Sequence, residues 1–274
     1  MNCERKNYNK KNSTLSTVDI RLCRWRSRHR IRGDFHSPAV LGERSFSPCQ
    51  ININRSFTTP SKGGFFVIIF IYMKYEKIKK NLKNLENPEK AKILARFFKT
   101  GKGEYGEGDI FIGITVPNVR KVAYGFLDAD FNDIAELLKS KIHEYRLTAL
   151  EILVAQYERS KDEKSKEKIY RFYLKNTKYI NSWDLVDLSA SYIVGDFLFD
   201  KNREILYKLV KSKNIWERRI AVLGAGAFIK KGQYEDTFKI AEILMNDKHP
   251  LIHKAVGWML REIGKQISHE VLKE

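Results

Sequence analysis

Four stretches of this 274-residue chain repeat one design. "EYRLTALEILVAQ", "SWDLVDLSASYIV", "WERRIAVLGAGAFI" and "IHKAVGWMLREIG" each open on charged or aromatic residues, then run apolar and rich in small residues. Asp187, Ala221 and Ala255 take equivalent places, 34 residues apart each time. A unit of that length is a helix hairpin that cannot bury its apolar face alone, so successive hairpins stack. The sequence therefore predicts an all-α fold, a HEAT-like helical-repeat solenoid. The expected shape is a curved superhelix with a basic concave face lined by the second helix of each pair.

Helical periodicity supports this over most of the second part of the chain. Apolar residues recur at three- and four-residue steps in 76–99, 117–127, 131–140, 144–158, 165–175, 182–197, 202–212, 215–230, 234–246 and 251–265. The linkers are short and polar. "TGKGEYGEGD" (100–109) is the one glycine-rich loop. No strand precedes it, so it reads as a flexible connector rather than a phosphate cradle.

Charge divides the chain differently. The formal net charge is +18, and residues 1–72 supply half of it with 13 Lys and Arg against 4 Asp and Glu. A balance this basic points to a polyanionic partner, above all nucleic acid. Residues 1–72 show no sustained period, contain three prolines, and hold Cys3, Cys23 and Cys49 without metal-ligand spacing. They read as a poorly structured basic extension, a mis-called upstream region, with Met73 the expected natural start. The run "FFVIIFIYM" (65–73) has nine residues, too few for the roughly 20 that a membrane helix needs. No membrane partner is expected. The part after residue 72 has no cysteine, which fits a reducing cytoplasm.

The chemistry-bearing residues cluster on the second helices. Trp183 and Asp187 are four apart and share a helix face. Trp183 alone would pass for a core anchor, and Asp184 for a first-turn carboxylate favoured by the helix dipole. Asp187 lies too far in to cap, and a carboxylate between Val186 and Leu188 needs a partner or a job. Either Arg219 or Arg218 of the next repeat is placed to be that partner, and both are candidates for DNA contact, since one of the pair can face the groove while the other packs or caps. Trp258 follows Gly257, and close helix approach would account for a glycine there. Lys230, Lys231 and Lys254 are candidate phosphate contacts, each with a solvated-surface alternative. The histidines show no ligand spacing beyond the i,i+4 pair His249 and His253, which straddles Pro250, so neither a metal nor another cofactor is expected.

"GDIFIGITVPNVRK", "HEYRLTALEIL", "NSWDLVDLSASYIVGDFL", "IWERRIAVLGAGAFI" and "HPLIHKAVGWMLREIGK" resemble, in order and spacing, the AlkD-like DNA alkylation repair family. The resemblance covers roughly 73–274 and implies a glycosylase for purines alkylated at N3 or N7 in duplex DNA. It implies catalytic roles for Trp183, Asp187 and Trp258, and DNA contact by Arg219 and by Phe97 in "ARFFKT". It also implies that the chain works as a monomer and that its end at "SHEVLKE" leaves the C-terminal cap short of the family's usual length. A non-catalytic binder of DNA structure and a protein-interaction scaffold are the alternative uses of such a fold.

Overall fold

Pro88 makes the first break in the expected helical pattern. The structure, a computed structural model, describes residues 74–271, and there the continuous period read over 76–99 is two helices, α1 (Lys74–Lys83) and α2 (Pro88–Phe97). Proline has no N–H to give to a helix interior, but it suits a first turn. Asn87 caps that turn by accepting from the Lys90 N–H at 2.9 Å. The expectations for residues 1–72, including the three cysteines and the excess of basic residues, lie outside the described residues. So does the end of the chain after Val271, where the short C-terminal cap was expected.

Two short helices, α3 (Val116–Tyr124) and α4 (Phe131–Leu138), lead into the repeat. The second helix packed on α4 is α5 (His143–Arg159). Then come α6 (Glu163–Lys175) and α7 (Trp183–Ala190), which runs on through a π-helical segment, Ser191–Gly195, into α8 (Asp196–Leu198). The third pair is α9 (Glu204–Leu209) and α10 (Ile215–Ile229), and the fourth is α11 (Glu235–Ile243) and α12 (Pro250–Val271). Each second helix packs on the next, α5 on α7, α7 on α10 and α10 on α12. The fold is all-α. Among the described residues the only β-type pairing is an isolated parallel bridge between Ile110 and Ile142, and no helix is long and apolar enough to cross a membrane.

Stacking on both sides buries α5 nearly all round. Leu147, Leu150, Leu153 and Tyr157 sit in the core with Ile152 and Val154 from its other faces. A side chain of this size contributes about 1.5–3 kcal/mol when fully buried. The same helix also buries His143, Glu144, Arg146 and Glu151. Such charges are tolerated only when paired. Glu151 pairs with Arg120 at 2.8 Å, and Glu144 accepts the backbone N–H groups of Ile112, Gly113 and Ile114. That carboxylate holds the loop leading into α3 against the start of α5.

Small residues set how closely α10 approaches its neighbour, and the close approach is not at Gly257. A Cβ on Gly257 would meet nothing within 4 Å, so that glycine faces open space. At Gly195, in the π-helical segment, a Cβ would stand 2.4 Å from the Ala227 Cβ and 2.5 Å from the Gly224 carbonyl. The two substitutions should therefore have opposite signs. Gly195→Ala should lower stability by about 1–3 kcal/mol through overpacking. Gly257→Ala should raise it by up to about 1 kcal/mol, since alanine is the better helix former. Denaturant unfolding of both variants checks the pair.

Candidate active site

The first residue of α7 is Trp183, and its indole ends a column of aromatic rings. Phe98 stacks on it with ring centres 5.2 Å apart and planes 11° apart. Phe111 stacks on Phe98 at 4.9 Å, and the His143 imidazole stacks on Phe111 at 4.4 Å. Phe98 and Phe111 are buried, whereas Phe97 is 56% exposed and meets Trp183 edge-on at 6.1 Å. One face of the indole is thus occupied by the protein, with an exposed aromatic at its rim.

Below the column lies a layer of buried charge. His143 holds Asp184 through Nε2 at 2.8 Å and Asp109 through Nδ1 at 3.2 Å. Arg146 donates from Nη2 to the same Asp109 oxygen at 2.6 Å and from Nη1 to the Ser140 carbonyl at 2.8 Å. Asn181 donates to the other Asp109 oxygen. Burial opposes a charge on His143, but the Asp184 and Asp109 carboxylates outweigh it and push its pKa up to about 9. The imidazolium in turn holds Asp184 below the usual carboxylate range despite burial. Asp184 is therefore more than a helix-dipole residue. It locks the start of α7, and with it Trp183, to the start of α5.

Asp187 lies one turn further along. Arg219 of α10 grips it with two parallel bonds, Nε to Oδ1 and Nη2 to Oδ2, both 2.8 Å. Burial pushes the Asp187 carboxyl up, and the Arg219 guanidinium pulls the other way. The third nitrogen of Arg219 donates to the Leu251 carbonyl at 2.7 Å, in the first turn of α12. One guanidinium so joins three successive second helices. Trp258 is seven residues on from Leu251, hence on the same stripe of α12, and it is half-buried.

Residues 78–273 match the family model described as DNA alkylation repair enzyme. The chain belongs to the DNA alkylation repair enzyme family. Its role is therefore in the repair of alkylated DNA. Among solved structures it is similar to a predicted DNA alkylation repair enzyme from Enterococcus faecalis, with a TM-score of 0.50 and 18% identity. That similarity covers 69% of this chain and 87% of the other. At this identity the likeness speaks for the fold. No match was found among curated proteins.

In this member of the family the residues expected from sequence fall into two groups. Phe97, Trp183, Asp187 and Arg219 converge at the starts of the second helices, with Trp258 on the Leu251 stripe. Lys254 is exposed on the first turns of α12. Arg218 turns away: its guanidinium bonds Asp247 at 2.7 Å and the Ser212 and Lys213 carbonyls. Lys230 and Lys231 are exposed beyond the far end of α10, about 17 Å along the axis from Arg219 at 1.5 Å per residue. Lys231 sits over the Phe199 ring.

Sequence reading did not find Phe98, Phe111, Asp109, His143 or Arg146. The signal was present in "HEYRLTALEIL", where His143, Glu144 and Arg146 crowd the first turn of a helix whose next turns carry Leu147, Leu150 and Leu153. What it lacked was any indication of which distant acids His143 and Arg146 pair with.

The His143 layer makes stability depend on pH. Its folded pKa of about 9 exceeds its ordinary 6.5. The stabilisation is fully present below pH 6.5 and is lost as pH rises through 9. The amount at stake is on the order of 3 kcal/mol for a fully buried group. Unfolding free energy measured from pH 6.5 to pH 9.5 should fall in the parent protein and stay nearly level in His143→Gln.

Proposed function

We propose that this protein is a DNA glycosylase that excises cationic N3- and N7-alkylated purines from duplex DNA by hydrolysing the N-glycosidic bond. The observation that carries this reading is the Trp183 indole and the Asp187 carboxylate one turn apart on α7. A purine of this kind already bears a positive charge and leaves as a neutral base. It needs no strong general acid. What needs stabilising is the sugar, which becomes oxocarbenium-like as the bond breaks. An indole face attracts cationic character. A carboxylate beside it favours developing positive charge and can orient the attacking water. Each oxygen of Asp187 accepts one bond from Arg219, which leaves lone pairs for that water. Arg219 fixes the direction in which they point.

A second reading has an observation of its own. The Asp187–Arg219 pair is buried and bidentate, with side chains 9% and 6% exposed, and such a pair can serve the stack alone. On that reading the chain binds DNA without cutting the glycosidic bond. The two are separated by Asp187→Asn, which keeps the shape and removes the charge. Its excision of 7-methylguanine and 3-methyladenine from methylated duplex should fall by about 100- to 1000-fold, with DNA affinity kept. Loss of affinity and thermal stability together with excision would make Asp187 structural.

Contact through phosphates predicts a further property. DNA affinity should fall linearly with salt on a logarithmic scale, by about 0.9 per phosphate neutralised, and depend little on base sequence. Titrations of unrelated duplexes at several salt concentrations check this.

A further inference from the structure

Each second helix is entered through a short linker, and bonds between side chains hold the four linkers side by side. Arg146 donates to the Ser140 carbonyl and to Asp109, which also accepts from Asn181, so the linker into α5 is tied to the linker into α7. Thr177 and Ser212 donate to the two oxygens of Glu217 at 2.8 and 2.5 Å, which ties the linker into α7 to the linker into α10. Arg218 donates to the Ser212 and Lys213 carbonyls and to the Asp247 carboxylate, which ties the linker into α10 to the linker into α12.

In every linker the residue after a tied one is a lysine. Lys141 follows Ser140, Lys178 follows Thr177, Lys213 follows Ser212 and Lys248 follows Asp247. The four lysines are 37, 35 and 35 residues apart, about one repeat each time. All four are exposed. None forms an ion pair among the described residues, and the Lys178 ammonium stands over the neighbouring Tyr179 ring. The linkers, residues 139–142, 176–182, 210–214 and 244–249, hold six lysines and one acid, and that acid, Asp247, is taken by Arg218. The first-turn acids of the second helices are engaged too: Glu144 by backbone amides, Asp184 by His143 and Glu217 by the two hydroxyls. The field along this edge is therefore positive, and the N-terminal dipoles of four helices add to it.

We propose that Lys141, Lys178, Lys213 and Lys248 form a track for the sugar–phosphate backbone of one strand of a DNA duplex. Packed helices lie about 8–10 Å apart, so three steps make a row of about 24–30 Å. At about 3.4 Å per phosphate along one strand, the row spans about seven to nine nucleotides. A duplex suits it because both partners present their charges at a fixed spacing. Lysine is a point charge on a flexible stem, which holds phosphates without reading bases. The linker that carries Lys178 leads directly into Trp183, so a strand on this track runs beside the indole. The proposal rests on the reading of this protein as one that acts on duplex DNA. It moves the phosphate contacts away from Lys230 and Lys231, which lie beyond the other end of α10.

The test uses the full chain and an unmodified duplex of about 16 base pairs, longer than the row, with affinity measured at several salt concentrations. Lys141→Gln, Lys178→Gln, Lys213→Gln and Lys248→Gln should each weaken binding to any sequence and lower the salt slope by about 0.9. The four together should lower it by about 3.6. The thermal midpoint should hold, since all four side chains are exposed. Lys230→Gln combined with Lys231→Gln should leave the slope unchanged. A slope unmoved by the four variants, a slope lowered as much per charge by the far-end pair, or a parent protein that binds no duplex would overturn the track. Release of 7-methylguanine from methylated duplex is measured beside these titrations. Release by the parent with an unmoved slope sinks the track and keeps the glycosylase reading, whereas loss of slope without release by the parent does the reverse.

Discussion

Buried charge that only another helix can neutralise fixes how this stack goes together. Asp184 of α7 needs His143 of α5. Asp187 of α7 needs Arg219 of α10, which in turn needs the Leu251 carbonyl of α12. Apolar helix faces rich in leucine and alanine can slide past one another by a turn at modest cost. These pairs cannot, because a slip would leave an ion in the core without a partner, a loss of about 3–5 kcal/mol for a broken buried pair. The pairs add less to stability than to register. Register is what the proposed site requires, since Trp183, Asp187 and Arg219 come from two helices and Trp258 from a third.

In the proposed glycosylase the same bonds would serve chemistry and architecture, which gives the cluster its rigidity. Arg219 is at once the clamp of three helices and the group that aims the Asp187 oxygens. His143 is at once the counter-ion that lets Asp109 and Asp184 be buried and the floor of the aromatic column under Trp183. A cluster built this way is ordered by the fold itself. Its cost is that few of its parts can change alone.

Most of the architecture was legible because its cause is local. A 34-residue repeat with helical periodicity states the pairs, and Trp183, Asp187 and Arg219 stand out as polar or bulky residues in an apolar pattern. What the sequence hid is long-range. Nothing near Arg218 and Arg219 says which of the two turns toward Asp187, because that choice depends on Asp247 being present to receive the other. Gly257 suggested a close crossing that in fact occurs at Gly195, since one helical glycine looks like another until the neighbour is known. The glycine-rich loop looked slack because glycine is permissive. Its order comes from Glu104, Glu107 and Asp109, whose partners are its own amides and a helix far along the chain.

The column from His143 to Trp183 also bears on when the site comes into existence during folding. A stack of helix pairs can form piecemeal, each pair gaining from its neighbour. The site cannot, for Phe98 must meet Trp183, and Tyr105 must meet Trp216, across long stretches of intervening chain. Those closures bring no return until α5, α7 and α10 are already in place. The aromatic column therefore arrives last, as a property of the finished stack rather than of any one repeat.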